Sequence, residues 1–184
     1  MVQAFTILRK KYLWSAELYL AGAKESDIRD ALRERQIRVE EVDWQKIHLL
    51  GDLGSEKLTD YYNLCDVFCM PSYFEAYGLV FAEALTYGLP CIGRDKFAMS
   101  EFIEDGCTGR LISGEDAEEL ALDLWEVLQD PKYREEVERR REWYLREYSW
   151  DKVAQRICSV MEKNERDKDQ YRSCLLYTSP SPRD

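Results

Sequence analysis

The chain has 184 residues, of which 45% are hydrophobic and 34% charged, with a net charge of −10. That is enough apolar content for one domain with a real core, and too much for a disordered chain. The acidic balance excludes a general nucleic-acid surface, which needs clustered Lys and Arg, and no apolar run approaches the length of a membrane span.

Residues Val2 to Leu13 carry apolar side chains at helical spacing, and Ala16 to Ala21 follows as a strand stopped by Gly22. Ser26 is expected to cap a helix running to about Gln36, with Asp27 and Asp30 in its first turn. Lys46 to Leu50 reads as a strand stopped by Gly51, and Ser55 to Cys65 as a helix with a serine cap. Val67 to Ser72 reads as a buried strand ending in a Pro-Ser turn. A helix over Leu79 to Tyr87, a strand at Cys91, a short helix over Ser100 to Glu104 and a strand over Gly109 to Ile112 complete the alternation. Strand alternating with helix predicts an α/β fold with one parallel sheet buried on both faces.

After Gly114 the chain becomes helical. Glu115 to Gln129 gathers Leu120, Leu124, Val127 and Leu128 on one side. Pro131 starts a second helix dense in Glu and Arg to Tyr148, read as a solvated face, and Ser149-Trp150-Asp151 opens a third through about Lys163. Residues 1–165 are taken as the folded domain, and 166–173 as a charged, fraying tail. Residues 174–184, from Cys174 to Asp184, back-translate to a string that matches a transposase-type sequencing adapter, so they are expected to be a library artefact and are set aside.

The chemistry concentrates in Glu75-Ala-Tyr-Gly-Leu-Val-Phe-Ala-Glu83, between a strand and a helix. Free backbone N–H groups at a helix N-terminus hold a diphosphate well. Gly78 and Leu79 stand at that start, and glycine permits close approach and an unusual φ. Carboxylates on either side, Glu75 and Glu83, are placed to accept hydrogen bonds from vicinal hydroxyls, one set on a ribose and one on a sugar. Each also has a plainer reading, Glu83 as a first-turn residue complementing the helix dipole and Glu75 as a loop cap. Arg94 has two readings, a phosphate contact or a surface salt bridge. His48, the one histidine, reads as a packed strand residue. The six cysteines include no Cys-x-x-Cys pair and no His partner at metal-ligand spacing, and are read as reduced, mostly buried thiols of a cytoplasmic protein.

Between Leu64 and Leu111 the motifs fall in a specific order. They are Pro71-Ser72-x-x-Glu75, Gly78-Leu79, Glu83-Ala84-x-x-x-Gly88-x-Pro90, the strand Cys91-Ile92-Gly93, and Glu101-x-Ile103-x-x-Gly106-x-x-Gly109. This series resembles the donor-nucleotide domain of family 4 (group 1) retaining glycosyltransferases, whose GT-B architecture pairs two Rossmann-like domains. The resemblance implies a nucleotide-sugar as donor substrate; phosphate handling then rests on backbone and helix dipole, the sequence shows no metal-ligand cluster, and no metal requirement is expected. It implies that Glu75 contacts hydroxyls of the donor sugar as the catalytic carboxylate and that Glu83 holds the ribose. Tyr77, Gly78 and Leu79 would line the donor site, and Gly51 would back the nucleobase. It also implies that a strand, a glycine turn, a basic pair and a whole acceptor-binding domain belong upstream of Met1, with peripheral membrane association possible only for the longer protein. Rival readings are a nucleotide-binding scaffold without catalysis and a GT-B-fold sugar-nucleotide epimerase. The sequence departs from the family where Ala76 replaces a frequent glycine and where Phe97 and Met99 stand in a loop that usually carries small residues.

Overall fold

The computed structural model describes residues 1–167, so the expectations for 168–184, including the adapter-like segment, lie outside it. The described residues divide into two units, the first Met1–Tyr144 and the second from Leu145 on.

In the first unit, helix α1 (Val2–Lys11) leads to strand β1 (Leu18–Ala21), helix α2 (Glu25–Glu34), two short 3₁₀ turns, and strand β2 (Ile47–Gly51). Helix α3 (Ser55–Leu64), strand β3 (Phe68–Cys69), helix α4 (Leu79–Thr86) and strand β4 (Cys91–Arg94) follow. Helix α5 (Met99–Phe102), strand β5 (Gly109–Ile112), helix α6 (Ala117–Gln129) and most of helix α7 (Pro131–Glu147) complete the unit. Every strand pair is parallel.

The strands do not form one continuous sheet. They make two hydrogen-bonded ladders, β1-β2 and β3-β4-β5, so β1 and β3 each keep one edge without a ladder partner among the described residues. Alternation of strand and helix predicts direction, but it carries no information on which edges pair, and this is where the single-sheet expectation fails.

β4 is buried along its whole length. Ile92 belongs to the core cluster that α1 and α6 build from Val2, Phe5, Leu8, Leu120, Leu124 and Val127. Cys91 and Gly93 point the other way, as a period of two requires. The Cys91 thiol lies 3.9 Å from the Phe81 carbonyl of α4, and Gly93 faces Phe81, Met99 and Ile103. β5 approaches β4 so closely at Gly109 that a Cβ there would stand 1.7 Å from the Cys91 carbonyl oxygen.

Several element ends differ from expectation. α2 begins at Glu25, with Lys24 as N-cap and no side-chain cap bond; Ser26 lies inside it and its hydroxyl donates to Asp27 at 2.9 Å. The Glu25–Arg29 pair at 2.6 Å supports that earlier first turn. α3 is entered through Gly54, and Ser55 is its first residue rather than its cap. β3 is only two residues long: its ladder to β4 ends where the Met70 carbonyl accepts the Ser72 N–H at 2.9 Å and the Arg94 N–H turns to Met99 Sδ. Asp116 is a true cap, its carboxylate accepting the Glu118 N–H at 2.8 Å. Among the cysteines only Cys91 is buried; Cys65, Cys69 and Cys107 are half-buried and Cys158 is exposed, which corrects the mostly buried reading, while Cys174 lies outside the described residues.

In the second unit the last turn of α7 leads to α8 (Trp150–Asp167). Ser149 caps it, its hydroxyl accepting the Lys152 N–H at 3.2 Å. α8 is amphipathic, and Trp150, Ile157, Val160 and Met161 are exposed along it.

Candidate functional site

Three segments build the site: the Pro71–Gly78 loop after β3, the start of α4, and the loop between β4 and α5. The chain leaves the β3-β4 ladder when the Met70 N–H donates to the Ile92 carbonyl at 3.0 Å. It then turns at Pro71-Ser72, with the Ser72 N–H on the Met70 carbonyl at 2.9 Å.

Gly78 is the N-cap of α4, in the left-handed conformation at φ +81. A Cβ there would stand 3.0 Å from the Phe81 ring and 3.3 Å from Glu75 Cγ, so glycine is required twice over, by conformation and by space. The half-buried Glu75 folds back over this turn, its Oε1 accepting the Gly78 N–H at 3.1 Å. The Gly78 amide is therefore already taken, a difference from the expectation that it offers itself to a diphosphate. The Leu79 and Val80 N–H groups at the helix start have no acceptor among the described residues. They supply the positive end of the α4 dipole beside Glu75.

Glu83 lies one turn further on, not in the first turn of the helix, and is exposed. Its Oε2 accepts the Tyr62 hydroxyl of α3 at 3.3 Å. The Tyr62 ring stacks on Tyr87 at 5.2 Å. Burial, and then the nearby Glu83 charge, push the Tyr62 hydroxyl well above its ordinary pKa, so it stays a donor to the carboxylate. Tyr77 is exposed, with its ring edge-on to Phe102 at 5.5 Å. Gly51 sits at the end of β2 with φ +62, its carbonyl accepting the Gly22 N–H at 2.7 Å. Glu75, Tyr77, Gly78 and Leu79 thus share one turn, Glu83 stands on the helix that follows, and Gly51 lies at the end of a strand in the other ladder.

Arg94 follows neither of its two readings. It is 5% exposed and bonds to backbone, Nη1 to the Gly114 carbonyl at 2.7 Å and Nη2 to the Pro71 carbonyl at 3.4 Å. Its guanidinium lies over the Tyr73 ring at 4.6 Å, and Nε is buried without a partner. Arg94 therefore ties the Pro71 turn to the end of β5, a role set by long-range contacts that no local pattern announces. Tyr73 is fixed a second time by Arg35, whose Nη2 donates to its hydroxyl at 3.1 Å. A cleft of ≈ 420 Å³ opens beside this turn, lined among others by Met1, Asp27, Arg35, Pro71, Tyr73 and Arg94; Glu75 and Glu83 are not in its wall. His48 pairs with Glu17 at 3.0 Å and stacks on Tyr19, as a packed strand residue does. Among the described residues no three His, Cys, Asp or Glu side chains converge as a metal site would require, and no helix is long and apolar enough to cross a membrane.

Residues 1–144 match the family described as glycosyl transferases group 1. A D-inositol 3-phosphate glycosyltransferase of Kribbella flavida is 32% identical over 98 residues, 53% of this chain and 23% of that protein. A glycosyltransferase of Methanocaldococcus jannaschii, itself uncharacterized, is 28% identical over 149 residues, 79% of this chain and 37% of that protein. The chain thus spans 23% and 37% of the length of these two relatives. Among solved structures, the pneumococcal O-GlcNAc transferase GtfA, in complex with UDP and GlcNAc, superposes with a TM-score of 0.65 at 24% identity, over 87% of this chain and 32% of that one. Sucrose-phosphate synthase from Thermosynechococcus elongatus gives 0.69 at 21% identity, over 89% and 42%. These likenesses establish the α/β fold with parallel strands and flanking helices.

Proposed function

The chain belongs to the group 1 glycosyl transferases, and from that premise we propose that it is the donor-binding half of an enzyme that moves a sugar from a nucleotide-sugar to an acceptor with retention. The observation that carries this reading is the turn at Gly78, where unpaired amides open α4 between Glu75 and Glu83. The Leu79 and Val80 N–H groups take the diphosphate, Glu83 the ribose hydroxyls and Glu75 the hydroxyls of the donor sugar. Tyr77 lines the donor site and Gly51 backs the base. Negative charge grows on the diphosphate as the glycosidic bond breaks, and fixed amide dipoles aimed at it lower the barrier by about 3 kcal/mol per donor in a closed site. Glu75 changes partner on binding: its Oε1 releases the Gly78 N–H to phosphate and turns to the sugar.

The longer protein supplies what the described residues lack. A strand upstream of Met1 pairs into the open edges of β1 and β3 and joins the two ladders, and an acceptor-binding domain closes over the donor and excludes water. The experiment is nucleoside-diphosphate binding by the 184-residue chain, followed by ligand-detected NMR with UDP, GDP and ADP. Weak binding of one of them, reduced by Glu83→Gln, supports the reading; no binding by any of the three contradicts it.

A further inference from the structure

The loop after Pro71 carries three aromatic side chains, Tyr73, Phe74 and Tyr77, and two of them rest on the fold. Tyr73 lies under the Arg94 guanidinium and accepts from Arg35. Tyr77 sets its edge on Phe102. Phe74 instead meets Phe97, from the loop between β4 and α5, with ring centroids 5.3 Å apart at 67°. Both rings stand in water, Phe74 72% and Phe97 53% exposed.

Phe97 carries a second cost. Its φ is +56, in the left-handed region that a bulky side chain rarely enters and that glycine occupies freely. A strained backbone and two exposed rings gain the folded chain little besides one edge-to-face contact. Phe74 immediately precedes Glu75 in the chain, whose carboxylate folds over the Gly78 turn.

We propose that Phe74 and Phe97 form the wall against which the C–H face of a hexopyranose packs, which makes them specificity-determining residues for the sugar of a nucleotide-activated donor. The proposal rests on the donor-site reading above and extends it to the sugar. A pyranose presents hydroxyls at its rim and polarised C–H bonds on its faces. The electron-rich face of an aromatic ring attracts those C–H bonds, while the neighbouring Glu75 accepts hydroxyls at the rim. Small residues in the same loop would leave the sugar face in water.

The test uses the 184-residue chain with UDP, UDP-glucose, GDP and GDP-mannose as probes, comparing wild type with Phe97→Gly, Phe97→Leu and Phe74→Ala. Phe97→Gly is the informative variant, since it keeps the left-handed backbone and removes the ring. Saturation-transfer NMR on the sugar C–H protons and titrated affinities are the readouts. Expected is a loss of sugar C–H saturation and about a three- to tenfold weaker sugar-nucleotide affinity in Phe97→Gly and Phe74→Ala, the size of one aromatic contact. Phe97→Leu should fail to restore the wild-type value. Affinity for the bare diphosphate should stay within about twofold. Unchanged sugar saturation and affinity in the ringless variants, with the diphosphate still bound, overturns the proposal and leaves the donor-site reading standing. Binding of none of the probes by wild type removes both.

Discussion

At the scale of the residue, the Gly78 turn does two things at once: it starts α4 and it brings Glu75 over the helix end. Gly78→Ala forces a Cβ into the left-handed region 3.0 Å from Phe81 and should cost about 1–3 kcal/mol, read by urea unfolding. Glu75→Gln keeps an oxygen to accept the Gly78 N–H, so stability should stay within about 0.5 kcal/mol while turnover of the full-length protein falls strongly. Unchanged turnover in Glu75→Gln would mean that Glu75 is a cap and nothing more. The ordered motifs made Glu75, Gly78 and Glu83 legible from the sequence, because each sits at a fixed step from a strand end or helix start. Arg94 and Tyr62 were not legible. Their partners, Gly114, Pro71 and Glu83, lie 20 or more residues away, and no local pattern encodes such contacts. Phe97 stood out as a departure from the family, but its pairing with Phe74 is a fact of three dimensions.

At the scale of the element, the strands were placed more securely than the helix caps. Strand positions followed from apolar runs bounded by glycine, whereas Ser26 and Ser55 looked like caps and are not, because neighbouring Glu25 and Gly54 open those helices. The β4–β5 contact has no slack: Gly109→Ala should cost more than about 4 kcal/mol or prevent folding, since the added carbon would overlap the Cys91 carbonyl. A thermal melt like wild type would contradict the observed register. The β1-β2 ladder is braced by Glu17, which bonds Lys46 at 2.8 Å and His48 at 3.0 Å. The Lys46 hydrogen bond, and then that of His48, lower the Glu17 carboxyl to about 2. A depressed carboxylate stabilises the fold above its unfolded value, and the contribution is lost as pH falls from there through about 2. Glu17→Gln should therefore melt earlier than wild type at neutral pH, the gap closing near pH 2 and shrinking in high salt. A gap that persists at pH 2 would mean that packing, not charge, is responsible.

At the scale of the whole molecule, the parallel α/β class was legible because helix and strand periods alternate clearly. The division into two ladders was not, because edge pairing depends on which strands are present to pair. The 184-residue chain should bind nucleoside diphosphate and transfer no sugar, whereas a protein restored with an upstream strand and acceptor domain should do both. Joining that strand should also raise the melting temperature, by linking β1 to β3 through one sheet.

The most direct measurement is an amide NMR titration of the chain with the nucleoside diphosphate it binds. The largest shifts are predicted at Gly78, Leu79 and Val80, with smaller ones around Glu83 and Gly51, and all of them weakened in Glu83→Gln. Binding that leaves the Gly78–Val80 amides unmoved and shifts another surface would contradict the account.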